Sequence, residues 1–309
     1  MKFAFFFPGQ GSQSVGMMQG LADLGVVRDT FAEASDILKE DFWRMVTEPN
    51  DRLNLTSNTQ PLMLAAGVAT WRAWQLQGGP QPMVVAGHSL GEYTALVAAG
   101  ILNYADALPL VRYRAEVMQG AVAEGVGAMA AVLGLDDEAV RAVCSEAARG
   151  QVLEAVNLNS PGQVVIAGHK SAVERGMEAA KARGAKRALL LPVSVPSHCA
   201  LMQPAADALR DYLADVELNP GKIAVLHNAD VASYDASVQI KDALVRQLHN
   251  PVRWVETVQA VQAMGVATSA ECGPGKVLAG LIKRIVADMP CIALTSIEAL
   301  EEARQQFNQ

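Results

Sequence analysis

Short apolar runs and amphipathic helical segments alternate along most of this chain. The apolar runs are rich in Val, Ile and Phe, as in "FAFFF" near the N-terminus and "MVVAG" before the first histidine. The segments between them have the apolar spacing of helices, for example "ADALPLVRYRAEVMQGAV". This alternation is typical of a mostly parallel sheet that is covered by helices on both faces. The sequence therefore predicts an α/β protein.

The middle third of the chain departs from this alternation. Its predicted elements follow the order βαββαβ: "GAMAAVLG", "DDEAVRAVCSEAARG", "VLEAVNL", "QVVIAG", "KSAVERGMEAAKARG" and "KRALLLPV". The third and fourth of these segments are joined by the turn residues "NSPG". The order is the ferredoxin-like arrangement. We therefore expect a small ferredoxin-like domain at residues 125–196, inserted into a larger α/β domain formed by residues 1–124 and 197–309.

Charge and cysteine content narrow the class of protein. The formal net charge is −7, so a nucleic acid partner is not expected. The four cysteines form no C-x-x-C pair, and the histidines do not cluster with them, which predicts neither a metal site nor a disulfide framework. The first apolar run ends at Pro8, too early for a signal peptide, and no segment has the length of a membrane span. A cytoplasmic protein is expected.

The segment "AGHSLGEYTALVAAG" carries the strongest catalytic signal. Gly87, Ser89 and Gly91 fit the pattern G-x-S-x-G, in which a sharp strand-to-helix turn exposes a serine hydroxyl. The context agrees, because an apolar run precedes the pattern and a long apolar helix former follows it. The sequence predicts a nucleophilic serine here. The alternative is an inert serine in an ordinary turn.

A serine at neutral pH needs a base within hydrogen-bond distance. His198 in "VPSHCALM" and His227 in "KIAVLHNAD" each follow an apolar run, so both can lie at the C-terminal end of a strand, where α/β sheets bind ligands. Spacing alone favours His198 only slightly. No acidic third member is evident near either one, although a backbone carbonyl can also orient a histidine.

Two glycine-rich segments, "FFFPGQGSQ" and "CGPGKVL", are candidate ligand loops. Neither has the glycine spacing of a dinucleotide-binding or phosphate-binding loop. The first can instead present backbone N–H groups to an oxyanion. The second is interpreted as a tight turn.

Arg114 is the charged residue that most needs an explanation. On the predicted helix it is surrounded by apolar side chains, so it must either reach solvent or meet an anion. A structural carboxylate is the more common partner, but the guanidinium also suits a substrate carboxylate that it binds through two hydrogen bonds. The neighbours at helical spacing are Leu110, Val111, Val117 and Met118.

Six segments together resemble the malonyl-CoA:acyl carrier protein transacylases of bacterial fatty acid synthesis. They are "FPGQGSQ", "GHSLGEY", "RYRAEVMQ", "NSPGQVVIAG", "VPSHCALM" and "ECGPGKVL", and they occur in the family's order along nearly the whole chain. The resemblance implies a hydrolase-like α/β domain with a ferredoxin-like insertion. It also implies ping-pong transfer of a malonyl group from malonyl-CoA to the phosphopantetheine thiol of acyl carrier protein, with no metal or redox cofactor.

The resemblance assigns a role to each site residue. It implies that Ser89 is the nucleophile, that His198 is its base, and that Arg114 binds the malonyl carboxylate. It places the backbone N–H groups of Gln10 and Leu90 in the oxyanion hole. These assignments are expectations for the structure.

Two further positions complete the expected site. Gln247 matches the residue whose main-chain carbonyl orients the histidine, which would explain why no acidic third member is evident. Ser197 stands where malonyl-selective polyketide domains often carry Phe, so acceptance of branched substrates stays open. Asn159 in "NSPGQ" is expected to form the turn, with lining of the cleft as the alternative.

Three other functions share parts of this pattern. A serine esterase would use Ser89 and His198 but gives Arg114 no purpose. A nucleotide-binding module would use the two glycine-rich loops, and a polyketide acyltransferase would differ only in its carrier protein. Because carrier proteins are acidic, docking requires a basic patch. The candidates are Lys181, Arg183, Lys186, Arg187, Lys283 and Arg284.

Overall fold

The computed structural model describes residues 1–193 and 195–308, and two β-sheets organise this part of the chain. The strands are β1 (Phe3–Phe7), β2 (Val84–Gly87), β3 (Gly127–Leu133), β4 (Leu153–Ser160), β5 (Gln163–His169), β6 (Arg187–Leu190), β7 (Ala224–Leu226), β8 (Thr268–Glu271) and β9 (Cys291–Ala293). Five strands form a parallel sheet in the order β7-β2-β1-β8-β9. The other four form an antiparallel sheet in the order β4-β5-β3-β6. The predicted α/β fold is confirmed.

Helices cover both sheets. They are α1 (Gly25–Leu38), α2 (Phe42–Thr47), α3 (Thr56–Leu76), α4 (Gly91–Ala98), α5 (Tyr104–Gly120), α6 (Asp137–Ala148), α7 (Lys170–Ala182), α8 (Gln203–Ala214), α9 (Ser237–His249), α10 (Trp254–Ala263), α11 (Val277–Ile285) and α12 (Ile297–Phe307). Within the residues described, no helix combines the length and the hydropathy that crossing a membrane requires.

The central strand β1 is buried on both of its faces. Phe3, Phe5 and Phe7 pack into one hydrophobic core with α1, α3, α5 and α12. Ala4 and Phe6 point the other way and pack into a second core with α10 and α11. Successive side chains of a strand alternate between its faces, so a continuous apolar run is needed wherever helices cover both. The first apolar run is therefore the central strand of the sheet.

Parallel pairing brings the C-terminal ends of three strands to the same edge of the large sheet. Phe7 of β1 is paired with Gly87 of β2, and Ala86 of β2 is paired with Leu226 of β7. The loops that follow these strands are consequently neighbours. This edge is where open α/β sheets place their ligands.

The small sheet follows the ferredoxin-like order that the sequence predicts. Along β3, Ala128, Ala130 and Val132 pack against α6 and α7, while Met129 points to the opposite face. Two backbone hydrogen bonds join this sheet to the loop after α9, because the N–H of Leu158 donates to the Val252 carbonyl over 3.1 Å and the N–H of Val252 returns a bond of 2.8 Å to Val156. The domain boundaries at 124/125 and 196/197 stay a prediction.

Candidate active site

The turn between β2 and α4 carries Ser89 in a left-handed backbone conformation, with φ at 51°. The glycines on either side make this turn possible. A Cβ at Gly87 would lie 1.8 Å from the carbonyl carbon of Gly91, and one at Gly91 would lie 2.0 Å from the main-chain oxygen of Phe7. Only glycine fits these two positions, and the tight turn exposes the serine hydroxyl at the end of the sheet.

His198 contacts this hydroxyl. Its Nε2 lies 2.8 Å from Ser89 Oγ, and its Nδ1 lies 2.7 Å from the main-chain oxygen of Gln247. A carbonyl oxygen can only accept a hydrogen bond, so Nδ1 carries the proton and Nε2 is free to accept the serine proton. The arrangement is a serine–histidine pair oriented by a peptide carbonyl in place of a carboxylate.

The environment of His198 keeps its imidazole neutral. The side chain is buried, and burial, followed by repulsion from the Arg114 guanidinium, lowers its pKa from 6.5 to about 3. At neutral pH the ring is therefore in the unprotonated form that a general base requires.

The loop after β1 lies directly against the Ser89 turn. A Cβ at Gly9 would be 2.4 Å from the main-chain oxygen of His88 and 3.6 Å from the nitrogen of Leu90. Gln10 and Leu90 both line the cavity that contains Ser89. Within residues 1–193 and 195–308, neither of their backbone N–H groups has a hydrogen-bond acceptor. Both are free to donate to an oxyanion that forms beside the serine.

Arg114 lies on α5 and is almost completely buried, with 1% of its surface exposed. Its Nη1 donates to Gln60 Oε1 over 2.8 Å, and its Nη2 donates to Gln247 Oε1 over 2.9 Å and to Ser89 Oγ over 3.3 Å. The ring of Tyr93 lies 5.4 Å from the guanidinium carbon. All these partners are neutral, and none of the ion pairs found in the described chain includes Arg114. The sequence left open whether Arg114 pairs with a structural carboxylate. None of the contacts described above is to a carboxylate.

Comparison with known proteins assigns the family. The acyl transferase domain family matches residues 4–300. The malonyl CoA-acyl carrier protein transacylase of Escherichia coli strain K12 is 55% identical over 304 residues, which cover 98% of each protein. That of Bacillus subtilis strain 168 is 41% identical over 311 residues, covering 100% of this chain and 98% of the relative. The chain belongs to the malonyl CoA-acyl carrier protein transacylase family. It is an acyltransferase.

Solved structures of transacylases from this family have the same fold. The acyl-carrier-protein S-malonyltransferase of Burkholderia pseudomallei is 58% identical, with a TM-score of 0.97 and coverage of 99% of this chain and 100% of the other. A malonyl-transacylase solved in complex with a type II polyketide synthase acyl carrier protein is 52% identical, with a TM-score of 0.98 and the same coverage. The hydrolase-like domain with a ferredoxin-like insertion is thereby confirmed.

Several polar residues of this transacylase site are absent from the sequence prediction. Gln60 and the Gln247 side chain hold Arg114, as described above. Asn228 braces the serine turn, because its Oδ1 accepts from the Ser89 N–H over 2.7 Å and its Nδ2 donates to the Gly87 carbonyl over 2.7 Å. The sequence signal that could have identified Asn228 is its position just after a predicted strand. That strand, β7, pairs with β2, the strand that leads to Ser89.

Two other histidines, His227 and His88, have structural contacts. His227 lies at the end of β7, as expected, but its Nδ1 is 2.7 Å from Glu92 Oε1 and not beside the serine. His88 packs its ring against Trp254 at 5.3 Å, and its Nε2 lies 2.8 Å from Asn159 Oδ1. Asn159 is part of β4, so the expectation that it forms the turn is wrong. The turn is made by the residues that follow β4.

Proposed function

We propose that this chain transfers the malonyl group of malonyl-CoA to the phosphopantetheine thiol of acyl carrier protein and so supplies fatty acid elongation. The observation that carries the proposal is the position of Arg114. Its buried guanidinium donates to the Ser89 hydroxyl and has only neutral partners. An acyl group on Ser89 that ends in a carboxylate would supply the missing anion.

The first half of the reaction forms a malonyl-serine. Ser89 Oγ attacks the thioester carbonyl carbon while its proton passes to His198 Nε2, 2.8 Å away. The backbone N–H groups of Gln10 and Leu90 donate to the resulting oxyanion. When the tetrahedral intermediate collapses, the carbon–sulfur bond breaks, and the proton on His198 goes to the departing coenzyme A thiolate.

The second half reverses these steps with a different thiol. The phosphopantetheine thiol gives its proton to His198 Nε2 and attacks the malonyl-serine carbonyl. The bond to Ser89 Oγ then breaks, and the serine recovers its proton from His198. All the groups used belong to this chain and its two substrates, so the proposal includes no cofactor. It places the reaction in the cytoplasm, where free cysteines such as the four in this chain persist.

Mass spectrometry of the intact protein mixed with malonyl-CoA tests this proposal. We expect a stoichiometric malonyl adduct that maps to the peptide containing Ser89 and disappears when acyl carrier protein is added. Ser89→Ala should form no adduct while its far-UV circular dichroism and unfolding midpoint stay close to those of the wild type. A normal adduct on this variant would refute the assignment of the nucleophile.

Separate measurements of hydrolysis, binding and transfer distinguish the rival functions. Rapid hydrolysis of neutral esters without transfer to a thiol would indicate an esterase, and saturable dinucleotide binding would indicate a nucleotide-binding module. A similar transacylase was solved in complex with a polyketide carrier protein. Whether this chain serves a fatty acid or a polyketide carrier protein is therefore tested separately. Comparing kcat/KM for purified fatty acid and polyketide carrier proteins answers this question. Competition between malonyl-CoA and methylmalonyl-CoA tests whether Ser197, which lines the cavity, admits branched substrates.

A further inference from the structure

A second buried carboxylate lies beside the site and takes no part in the mechanism above. Glu92 follows the serine turn on α4 and has no exposed surface. Its Oε1 is 2.7 Å from His227 Nδ1, while its Oε2 accepts from the Asn228 N–H over 2.9 Å and from Gln247 Nε2 over 3.0 Å. Each of these three nitrogens can donate a hydrogen bond to a carboxylate oxygen, so the contacts fit an ionised carboxylate.

One amide group connects this carboxylate to Arg114. The Gln247 side chain donates from Nε2 to Glu92 and accepts at Oε1 from Arg114 Nη2. An anion, an amide dipole and a cation are thus aligned in one buried chain. The negative charge lies close enough to stabilise the guanidinium, but it does not occupy the guanidinium's hydrogen-bonding groups.

We propose that Glu92 is the permanent counter-charge of Arg114. A cation buried without any compensating charge is strongly destabilising. A carboxylate bound directly to Arg114 would remove that cost but would also compete with the substrate carboxylate. A carboxylate held one amide away balances the charge of the empty site and leaves Arg114 free to bind the acyl group. This inference rests on the proposed malonyl selectivity of the site.

The contacts of Asn228 suggest an alternative role for Glu92, in which it only holds the serine turn in place. The backbone N–H of Asn228 donates to Glu92, and the Asn228 side chain holds the turn at Ser89. Glu92 could therefore act only as a brace for the nucleophile, with its charge irrelevant. The two explanations predict different results when the charge is removed and the hydrogen bonds are kept.

Glu92→Gln is the variant that makes this separation. The new amide oxygen can still accept from Asn228 and Gln247. The new NH₂ group can donate to His227, because that ring can move its proton from Nδ1 to Nε2, an atom with no partner in the described chain. The substitution removes one charge at nearly constant shape.

The ratio of kcat/KM for malonyl-CoA to that for acetyl-CoA is the first readout. With the counter-charge gone, Arg114 should attract the malonyl carboxylate more strongly and disfavour the neutral acetyl group. We expect the ratio to rise by about threefold to tenfold. Glu271→Gln removes another fully buried carboxylate, at the end of β8, and should leave the ratio unchanged. Because burial raises the pKa of Glu271 to about 7, this control is matched in charge when the ratios are measured above pH 8, where Glu271 is ionised. A ratio that stays constant while both rates fall overturns the proposal.

Unfolding by urea gives a readout that does not depend on acyl transfer. Glu92→Gln should lower the midpoint in the wild-type background but raise it in an Arg114→Gln background, because there Glu92 is itself the uncompensated buried charge. Equal losses in the two backgrounds overturn the proposal. If the single variant does not fold, the counter-charge role requires that the double variant does, and an unfolded double variant overturns it too. Since no substrate is present, this cycle separates failure of the inference from failure of the proposed function.

Discussion

A malonyl group differs from an acetyl group by one carboxylate, and Arg114 is the residue that we expect to distinguish them. A charge-assisted hydrogen-bonded pair stabilises by about 1.5–3 kcal/mol, and removing one partner of a buried pair costs roughly 2–5 kcal/mol. Arg114→Ala should therefore lower kcat/KM for malonyl-CoA by about one to three orders of magnitude. Acetyl-CoA turnover should hold or improve, because the acetyl group has no carboxylate to accept from the guanidinium and loses no hydrogen bond with it.

Arg114→Lys is the matched control for that experiment. It restores the charge but not the planar pair of donors, so the rescue should be partial. Measuring kcat/KM for both thioesters in both variants decides the role. An equal fall in kcat/KM for malonyl-CoA and acetyl-CoA would mean that Arg114 supports the structure and does not distinguish the two acyl groups.

The pH profile of the reaction reports on His198. Burial and the neighbouring Arg114 lower its pKa to about 3, and the imidazole acts as a base only above its pKa. The value of kcat/KM should therefore stay level from pH 8 down to about pH 5. It should fall only as the pH approaches the lowered pKa of His198. Malonyl-pantetheine is the suitable substrate, because it carries no phosphate that titrates in this window. An acid limb near 6.5 would contradict a neutral, buried base.

The serine and histidine could be found from the sequence, but the groups that hold them could not. Ser89 stands in a local pattern that demands a particular turn, so its position follows from its immediate neighbours. Gln247 and Glu92 are 155 positions apart, and their hydrogen bond exists only because α4 and α9 meet in the fold. A glutamine on a helix has no local signature of this kind.

The approach of α4 to β1 is the contact between elements on which the site most depends. A Cβ at Gly91 would lie 2.0 Å from the main-chain oxygen of Phe7, and a backbone atom cannot move aside as a flexible side chain can. Gly91→Ala should displace the start of α4, destabilise the fold by roughly 2–5 kcal/mol and reduce acyl-enzyme formation. Urea unfolding and the rate of malonyl adduct formation measure the two effects.

Gly280 on α11 is the matched control for this substitution. Apart from the neighbouring backbone of α11 itself, no atom lies within 4 Å of a Cβ placed there, and α11 is a regular helix. Gly280→Ala should stabilise the protein by about 0.5–1 kcal/mol, because alanine favours the helix. If the two variants behave alike, the contact between α4 and β1 is not what requires glycine at position 91.

Most elements could be predicted because their patterns are local. The apolar runs identify β1, β2 and β7 of the large sheet, and the order βαββαβ identifies the small one. The placement of Asn159 could not be predicted, because Asn favours turns by its own chemistry. In the structure β4 continues through Asn159 as an irregularity in the ladder, because its neighbours Leu158 and Ser160 are both paired with β5. Pairing of the neighbouring residues outweighed the local preference at Asn159.

At the scale of the whole molecule, the fold brings together candidate docking residues that are about 100 positions apart in the sequence, Lys186 and Arg187 with Lys283 and Arg284. Arg187 on β6 is paired with Leu133 on β3, which is paired with Gln163 on β5. Gln163 Oε1 in turn accepts from Arg284 Nη1 over 2.7 Å. Adjacent strands are about 4.8 Å apart, so this row is short. Lys186, Arg187, Lys283 and Arg284 form what we call the basic ridge, and none belongs to an ion pair of the described chain.

The basic ridge should bind the acidic carrier protein. The double variant Arg187→Glu/Arg284→Glu should raise KM for acyl carrier protein by about tenfold and leave malonyl transfer to free pantetheine unchanged. Lys181 and Arg183 are already paired with Glu178 and Glu146, so reversing their charges should have a much smaller effect. Steady-state kinetics at low ionic strength measure both variants. An unchanged KM in the ridge variant would place docking elsewhere.

The proton on His198 Nδ1 is accepted by a peptide carbonyl, and every amino acid at position 247 supplies one. Saturation mutagenesis at this codon therefore cannot delete the acceptor, and a genetic screen will record only what the glutamine side chain does for Arg114, Glu92 and the Ser89 carbonyl. Replacing the 247–248 amide with an ester makes the carbonyl a weaker acceptor. That change would show how much the hydrogen bond from His198 Nδ1 contributes to activity. Substrate preference can thus drift at position 247 over evolutionary time while the base stays correctly aligned.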